Sequence, residues 1–179
     1  VYAARLVVEQ DEEDYVPFVV RPSKEANRAK ILFVLPTFSY MAYANERFHA
    51  QEFVQWDLAS DRPLKLARQD QFVADNAKML GPSTYDAHTD GFYTIYSSRL
   101  RPVLNFRPKL TSYWSDAGRH FGADMYLIDW LDRKGFAVDV ATDEDLDIEG
   151  EDLLSPYNVI LLGSHPEYTS RVMRSSMES

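Results

Sequence analysis

The sequence predicts an α/β domain built on a parallel, doubly wound sheet and preceded by a β-hairpin. Three observations carry this. Ile31-Leu32-Phe33-Val34-Leu35 and Asn158-Val159-Ile160-Leu161-Leu162-Gly163 are uninterrupted apolar runs, the pattern of strands covered on both faces. Between them lie a stretch with helical spacing and a shorter β-rich run, a helix–strand–loop–strand order after a first strand. Residues 1–22 instead alternate apolar and polar, as a half-exposed antiparallel pair does.

In chain order, the hairpin has a first arm from Val1 to Val8, an acidic turn Asp11-Glu12-Glu13-Asp14 and a second arm from Tyr15 to Val20. Residues 1–22 read as the end of a preceding β domain, 23–30 as a linker, and 31–179 as the N-terminal part of an α/β domain that is incomplete at its C-terminus. The first residues fall in a strand pattern and Met177-Glu178-Ser179 in a helical one, so a fragment of a larger polypeptide is expected. Tyr40 to Ser115 is long, aromatic and rich in Pro, Asp and Ser. A helix is expected there around Asn45 to Leu58 and ordered loop elsewhere, and long ordered loops on a compact sheet are usually functional. From Gly122 to Lys134, Met125, Ile128 and Leu131 recur at helical spacing and Gly135 stands where a helix stops. Phe136-Ala137-Val138-Asp139-Val140 is the next strand. The loop after it leads to the second apolar run.

Composition narrows the function classes. A formal net charge of -9 with scattered basic residues excludes a phosphate-tracking face, so no nucleic acid is expected as a partner. The absence of cysteine removes disulfides, thiolate nucleophiles and cysteine metal sites together. No apolar run approaches a membrane span and no signal peptide is readable, so a soluble, cytoplasmic protein is expected.

Open α/β sheets bind ligands at the carboxyl ends of their strands. Pro36-Thr37-Phe38-Ser39-Tyr40-Met41-Ala42-Tyr43-Ala44-Asn45 follows the first strand, and Gly163-Ser164-His165-Pro166-Glu167-Tyr168-Thr169-Ser170 follows the last. Tyr43 fits a ligand-facing phenol or a half-buried packing residue. Glu167 fits a site carboxylate or an acidic residue in the first turn of a helix, where the dipole favours it. His165 stands where a general base is common, and where a ring often bonds the backbone. In Gly81-Pro82-Ser83-Thr84-Tyr85-Asp86-Ala87-His88-Thr89-Asp90-Gly91, Asp86, His88 and Asp90 alternate like a metal loop. The calcium-loop positions fail, and a turn held by Asx hydrogen bonds accounts for the same residues.

Four segments in this order carry a resemblance: Ser39 to Asn45, Tyr85 to Gly91, Tyr96-Ser97-Ser98-Arg99-Leu100-Arg101-Pro102, and Gly163 to Tyr168. Together they resemble the C-terminal catalytic domain of the N,N-dimethylformamidase large (beta) subunit family, and Val16-Pro17-Phe18-Val19-Val20-Arg21-Pro22 is similar to the segment just upstream of it. The resemblance implies a class I glutamine-amidotransferase-like (flavodoxin-like) domain, here truncated. It implies a metal-dependent amide hydrolase that converts dimethylformamide and water to dimethylamine and formate. It also implies mononuclear iron, as Fe3+, held by two tyrosines and a glutamate beside a histidine.

Matched motif by motif, the metal ligands are Tyr43, Tyr85 and Glu167, and the catalytic histidine is His165. Tyr40 competes with Tyr43, and Tyr93 and Tyr96 compete with Tyr85. Phenolate and carboxylate are hard donors suited to ferric iron. His165 would take a proton from water or orient Glu167. Phe38, Phe92 and Tyr93 would wall an apolar pocket for methyl groups. The implied partners are a small amide substrate and further copies of the chain, with room for a small second subunit. This piece alone is expected to be inactive.

Two other function classes bear on the same residues. A true glutamine amidotransferase needs a cysteine nucleophile, which the chain lacks, and Ser164 lacks the glycines of a nucleophile elbow. A non-catalytic binding or assembly domain of glutamine-amidotransferase-like fold stays open.

Overall fold

The computed structural model describes residues 1–8, 13–23, 25–50 and 65–179. Its centre is a three-stranded sheet of β3 (Ile31–Leu35), β4 (Val138–Thr142) and β5 (Val159–Leu162) in the order β4-β3-β5. Both pairings are parallel, with Ile31 opposite Val138 on one side and Val159 on the other. β3 is the middle strand, so its alternate side chains feed two cores. Leu32 and Val34 join Ala141 with Leu146, Leu153 and Met173 from α5 (Asp143–Glu149), α6 (Glu151–Leu154) and α7 (Arg171–Glu178). Phe33 and Leu35 join Val140 with Tyr40, Phe121 and Leu131 from α1 (Thr37–Ala42) and α4 (Phe121–Arg133).

This two-sided packing explains the unbroken apolar run of β3, whereas β5, expected to be covered in the same way, is an edge strand with Val159 and Leu162 44% and 40% exposed. It also fixes where a crevice forms. The chain goes from β3 outward to β4 and then crosses β3 to reach β5. With right-handed crossovers, the two connections must lie on opposite faces. The loops leaving β3 and β5 therefore part company at the carboxyl edge, a topological switch point.

Several boundaries differ from the sequence reading. The strand expected at Phe136–Val140 lies two residues later, because Gly135, at φ 78°, and Phe136 still complete the turn that ends α4. The stretch expected as loop between β4 and β5 holds α5 and α6. Its density of acids hides a capping box, in which Thr142 Oγ1 accepts from Asp145 N at 3.3 Å and Asp145 returns the bond to Thr142 N at 2.9 Å. α2 (Arg68–Asp75) and α3 (Ala77–Leu80) also fall where ordered loop was expected. Of the helix expected at Asn45–Leu58, the described part shows only a turn and a 3-10 segment, Phe48–Ala50; residues 51–58 lie outside the described residues.

The hairpin pairs β1 (Tyr2–Val7) with β2 (Glu13–Phe18), Tyr2 opposite Phe18 and Val7 opposite Glu13. Glu13 and Asp14 are thus strand residues rather than turn residues, while Asp11 and Glu12 lie outside the described residues. Glu13 meets Lys109 at 2.5 Å and Asp14 meets Arg107 at 2.9 Å. Arg21 Nη1 bonds Asp145 at 2.8 Å and Glu149 at 2.6 Å on α5. Among the described residues no helix is long and apolar enough to cross a membrane.

Candidate functional site

At the switch point, α1 follows β3 after one proline, and its C-cap is Tyr43, only 7% exposed. The Tyr43 hydroxyl donates to Glu167 Oε2 at 2.8 Å. Glu167 is in the loop after β5, well short of α7. The helix-dipole explanation for an acid at this position therefore falls away. Its backbone is held from below, since the buried Ser39 hydroxyl of α1 accepts from Glu167 N at 2.9 Å. One helix thus presents a phenol and anchors the carboxylate it meets.

Tyr85 arrives from the long segment between α1 and α4. The hydroxyls of Ser83 and Thr84 donate to the carbonyl of Ala42 at 3.0 and 2.7 Å, satisfying an acceptor that the end of α1 leaves open. The buried Asp86 carboxylate accepts from Ser83 N at 2.9 Å and pairs with Arg47 at 3.0 Å. Docked this way, the Tyr85 ring stacks on Tyr43 at 4.0 Å between centroids. Its hydroxyl donates to Glu167 Oε1 at 3.0 Å and also bonds the Tyr168 hydroxyl.

His165 Nε2 lies 3.3 Å from Glu167 Oε2. The structure therefore brings Tyr43, Tyr85, Glu167 and His165 together. The competing tyrosines lie elsewhere. Tyr40 is 1% exposed and gives its hydroxyl to Asp124, and Tyr96 is 86% exposed. Tyr93 lines an open groove of about 870 Å³ beside Tyr85 and Tyr168, with Phe38, Met41 and Phe48. Phe92 is not part of that wall and is 74% exposed.

The other motif residues are clamps. Asn45, at φ 58°, receives Leu104 N at 2.8 Å and donates to Pro102 O at 2.7 Å. Arg101 donates to the carbonyls of Gly81 at 2.8 Å and Ala44 at 3.0 Å. Asp86, His88 and Asp90 form a turn, with Asp90 accepting from Phe92 N at 3.2 Å. Among the described residues they do not gather into a metal-holding cluster.

The family model described as "N,N-dimethylformamidase beta subunit-like, C-terminal" matches residues 1–179. The chain belongs to this family. It is 46% identical over 162 residues to the N,N-dimethylformamidase beta subunit of Paracoccus aminophilus, covering 88% of this chain and 20% of that protein. It is 42% identical over 171 residues to the N,N-dimethylformamidase beta subunit of an Alcaligenes species, covering 93% of this chain and 22% of that protein. The chain thus spans about a fifth of the length of these relatives.

In this family domain the gathered donors are two phenols and a carboxylate, all hard oxygens. Each phenol oxygen lies against a different oxygen of the same carboxylate, at 2.8 and 3.0 Å. Hard oxygen donors of this kind are the chemistry that ferric iron takes, and the hydrogens now shared among them are those a cation would replace. Burial, with the neighbouring carboxylate, pushes the Tyr43 and Tyr85 phenols up. Without a cation they hold their protons.

Two neighbours escaped the sequence reading. Tyr168 gained no notice beside Glu167. His120 precedes α4, is 4% exposed, and places Nε2 3.1 Å from His165 Nδ1. Burial, then the adjacent Arg119 charge, lowers its pKa to about 3. Its φ of 50°, rare for a non-glycine residue, leaves no mark in sequence.

Proposed function

We propose that in the full-length protein this domain hydrolyses the C–N bond of a small N-alkyl amide of the dimethylformamide type. Tyr43, Tyr85 and Glu167 hold a mononuclear ferric ion. The observation that carries the proposal is the convergence of two phenol oxygens on the two carboxylate oxygens of Glu167 at the sheet's switch point. The family membership supports the substrate class. The β4-β3-β5 order with helices on both faces supports extending the fold reading to a class I glutamine-amidotransferase-like sheet.

Bound there, iron would supply Lewis-acid polarisation of the amide oxygen and acidify water. The chain supplies orientation. His165 Nε2 facing Glu167 Oε2 is a favourable contact only with the hydrogen on Nε2. It then steadies the carboxylate and sets an N–H donor at the edge of the site, where negative charge develops as the amide is attacked. The apolar groove beside Tyr85 would take the N-alkyl groups, with Phe38, Met41 and Tyr93 as its wall.

Because its relatives are named beta subunits, we take the protein to work beside a second subunit and further copies of itself. Exposed Phe92, Ile95, Tyr96 and Leu100 offer apolar surface for such contacts.

The test is metal analysis and amine release in the full-length protein. Tyr43→Phe, Tyr85→Phe and Glu167→Gln each lose iron and turnover together. His165→Ala keeps iron and loses most turnover. Full turnover in a Glu167→Gln protein free of iron would overturn the reading, and so would a wild-type protein without metal or amidase activity, as a binding or assembly domain would be.

A further inference from the structure

His165 uses both ring nitrogens, and only one of those contacts enters the chemistry proposed above. Its Nε2 lies 3.3 Å from Glu167 Oε2, a charge contact rather than an aligned hydrogen bond, and an oxygen that can only accept favours the hydrogen on Nε2 over a lone pair. A neutral His165 then presents a lone pair at Nδ1. The group 3.1 Å from that lone pair is His120 Nε2, which must be the donor. The two ring planes are parallel to within 4° and their centroids are 5.3 Å apart. That separation is close to the N···N distance plus two ring radii, so the bond runs nearly in the plane of both imidazoles.

The two histidines are held very differently. His165 sits on a loop with its side chain 41% exposed and could turn about its own bonds. His120 is 4% exposed. Its ring packs 4.7 Å from Tyr43 and 6.0 Å from Tyr40. Its backbone sits at φ 50°, ψ −117°, a conformation that persists only where surrounding structure over-determines it. The fixed ring therefore orients the free one. Among the described residues His120 reaches Glu167 through His165, while its ring also packs on Tyr43, so iron content separates an effect passed through His165 from one passed through that ligand.

We propose that His120 is a positioning residue for the amide hydrolysis: its Nε2–H holds His165 in one tautomer and one plane, with the His165 Nε2–H on the side of Glu167. This rests on the reading of His165 given above. Residues that orient groups around such a centre typically change activity by about 10- to 100-fold when removed.

The experiment is steady-state hydrolysis of dimethylformamide by the full-length holoenzyme, with iron content measured alongside. His120→Phe keeps a packed ring and removes the donor. It is expected to lower kcat about 10- to 100-fold at unchanged KM and iron content. His120→Gln, which carries an amide N–H near the place of Nε2, recovers most of the loss. In a His165→Ala background, His120→Phe costs nothing further, since the two act as one unit.

Three results would overturn the proposal. These are unchanged kcat in His120→Phe, equal impairment with iron loss in His120→Phe and His120→Gln (a packing role), and additive losses in the double variant. The two readings fail separately. Full activity in His165→Ala removes the role of His165 itself, whereas an impaired His165→Ala beside a fully active His120→Phe removes only His120.

Discussion

A methyl group added at Gly163 would lie 2.4 Å from Pro36 Cδ and 2.6 Å from Asp124 Oδ2. Both are rigid parts of the floor under the candidate site. Asp124 is 1% exposed, takes the hydroxyl of Tyr40, and accepts Ser164 N at 2.5 Å. Gly163→Ala is therefore expected to destabilise the fold by about 1–3 kcal/mol, as overpacking does, and to lower turnover by displacing His165 and Glu167. Thermal melting and amine release of the full-length variant check this; an unchanged melting temperature would remove the argument. The juxtaposition of Tyr43 and Glu167 was legible at this scale because each follows an unbroken apolar run that forms a strand of the same parallel sheet. Tyr85 was reached by resemblance alone. Its place depends on two hydroxyls finding the Ala42 carbonyl, which no local pattern announces. His120 was invisible for a related reason: its partner is a lone pair 45 residues away.

α5 shows what an element can conceal. Its first residue, Asp143, is 4% exposed and accepts Phe38 N of α1 at 2.9 Å. Burial pushes its pKa from 3.8 up to about 7. Between these two values the folded chain keeps a proton that the unfolded chain has released. Stability from this group therefore falls as pH rises through that window, and the loss is complete above about 7. Asp143→Asn keeps an acceptor for Phe38 and cannot ionise. At pH 8 it is expected to be more stable than the parent by on the order of 1–3 kcal/mol, an advantage that vanishes toward pH 4. Urea midpoints at both pH values test this, and an equal difference at the two would sink it. The same acids explain why α5 escaped notice. Its inward face holds Leu146 among Asp and Glu, whereas β3 announces itself by having no polar residue at all.

For the whole molecule, the hairpin is joined to the α/β unit by ion pairs together with Val19, which packs against the core around Phe33 and Tyr40. Arg21 reaches across 124 and 128 residues of sequence to Asp145 and Glu149, and such long-range pairing has no local signature. Partly exposed pairs contribute up to about 1 kcal/mol. Arg21→Ala is thus expected to speed hydrogen exchange of β2 amides several-fold while leaving those of β3 unchanged. Equal acceleration in both strands would show the hairpin to be integral to the sheet's stability. The spacing of the candidate ligands has a further consequence, in time rather than space. The contacts that gather Tyr43, Tyr85 and Glu167 close loops of 124 and 82 residues, and such closures are late and slow in folding. A nascent chain that has emerged as far as β4 holds both tyrosines but nowhere to bring a carboxylate to them. Any ion this family domain takes up must therefore arrive after the sheet is built, as cargo loaded into a finished scaffold rather than a nucleus around which it folds.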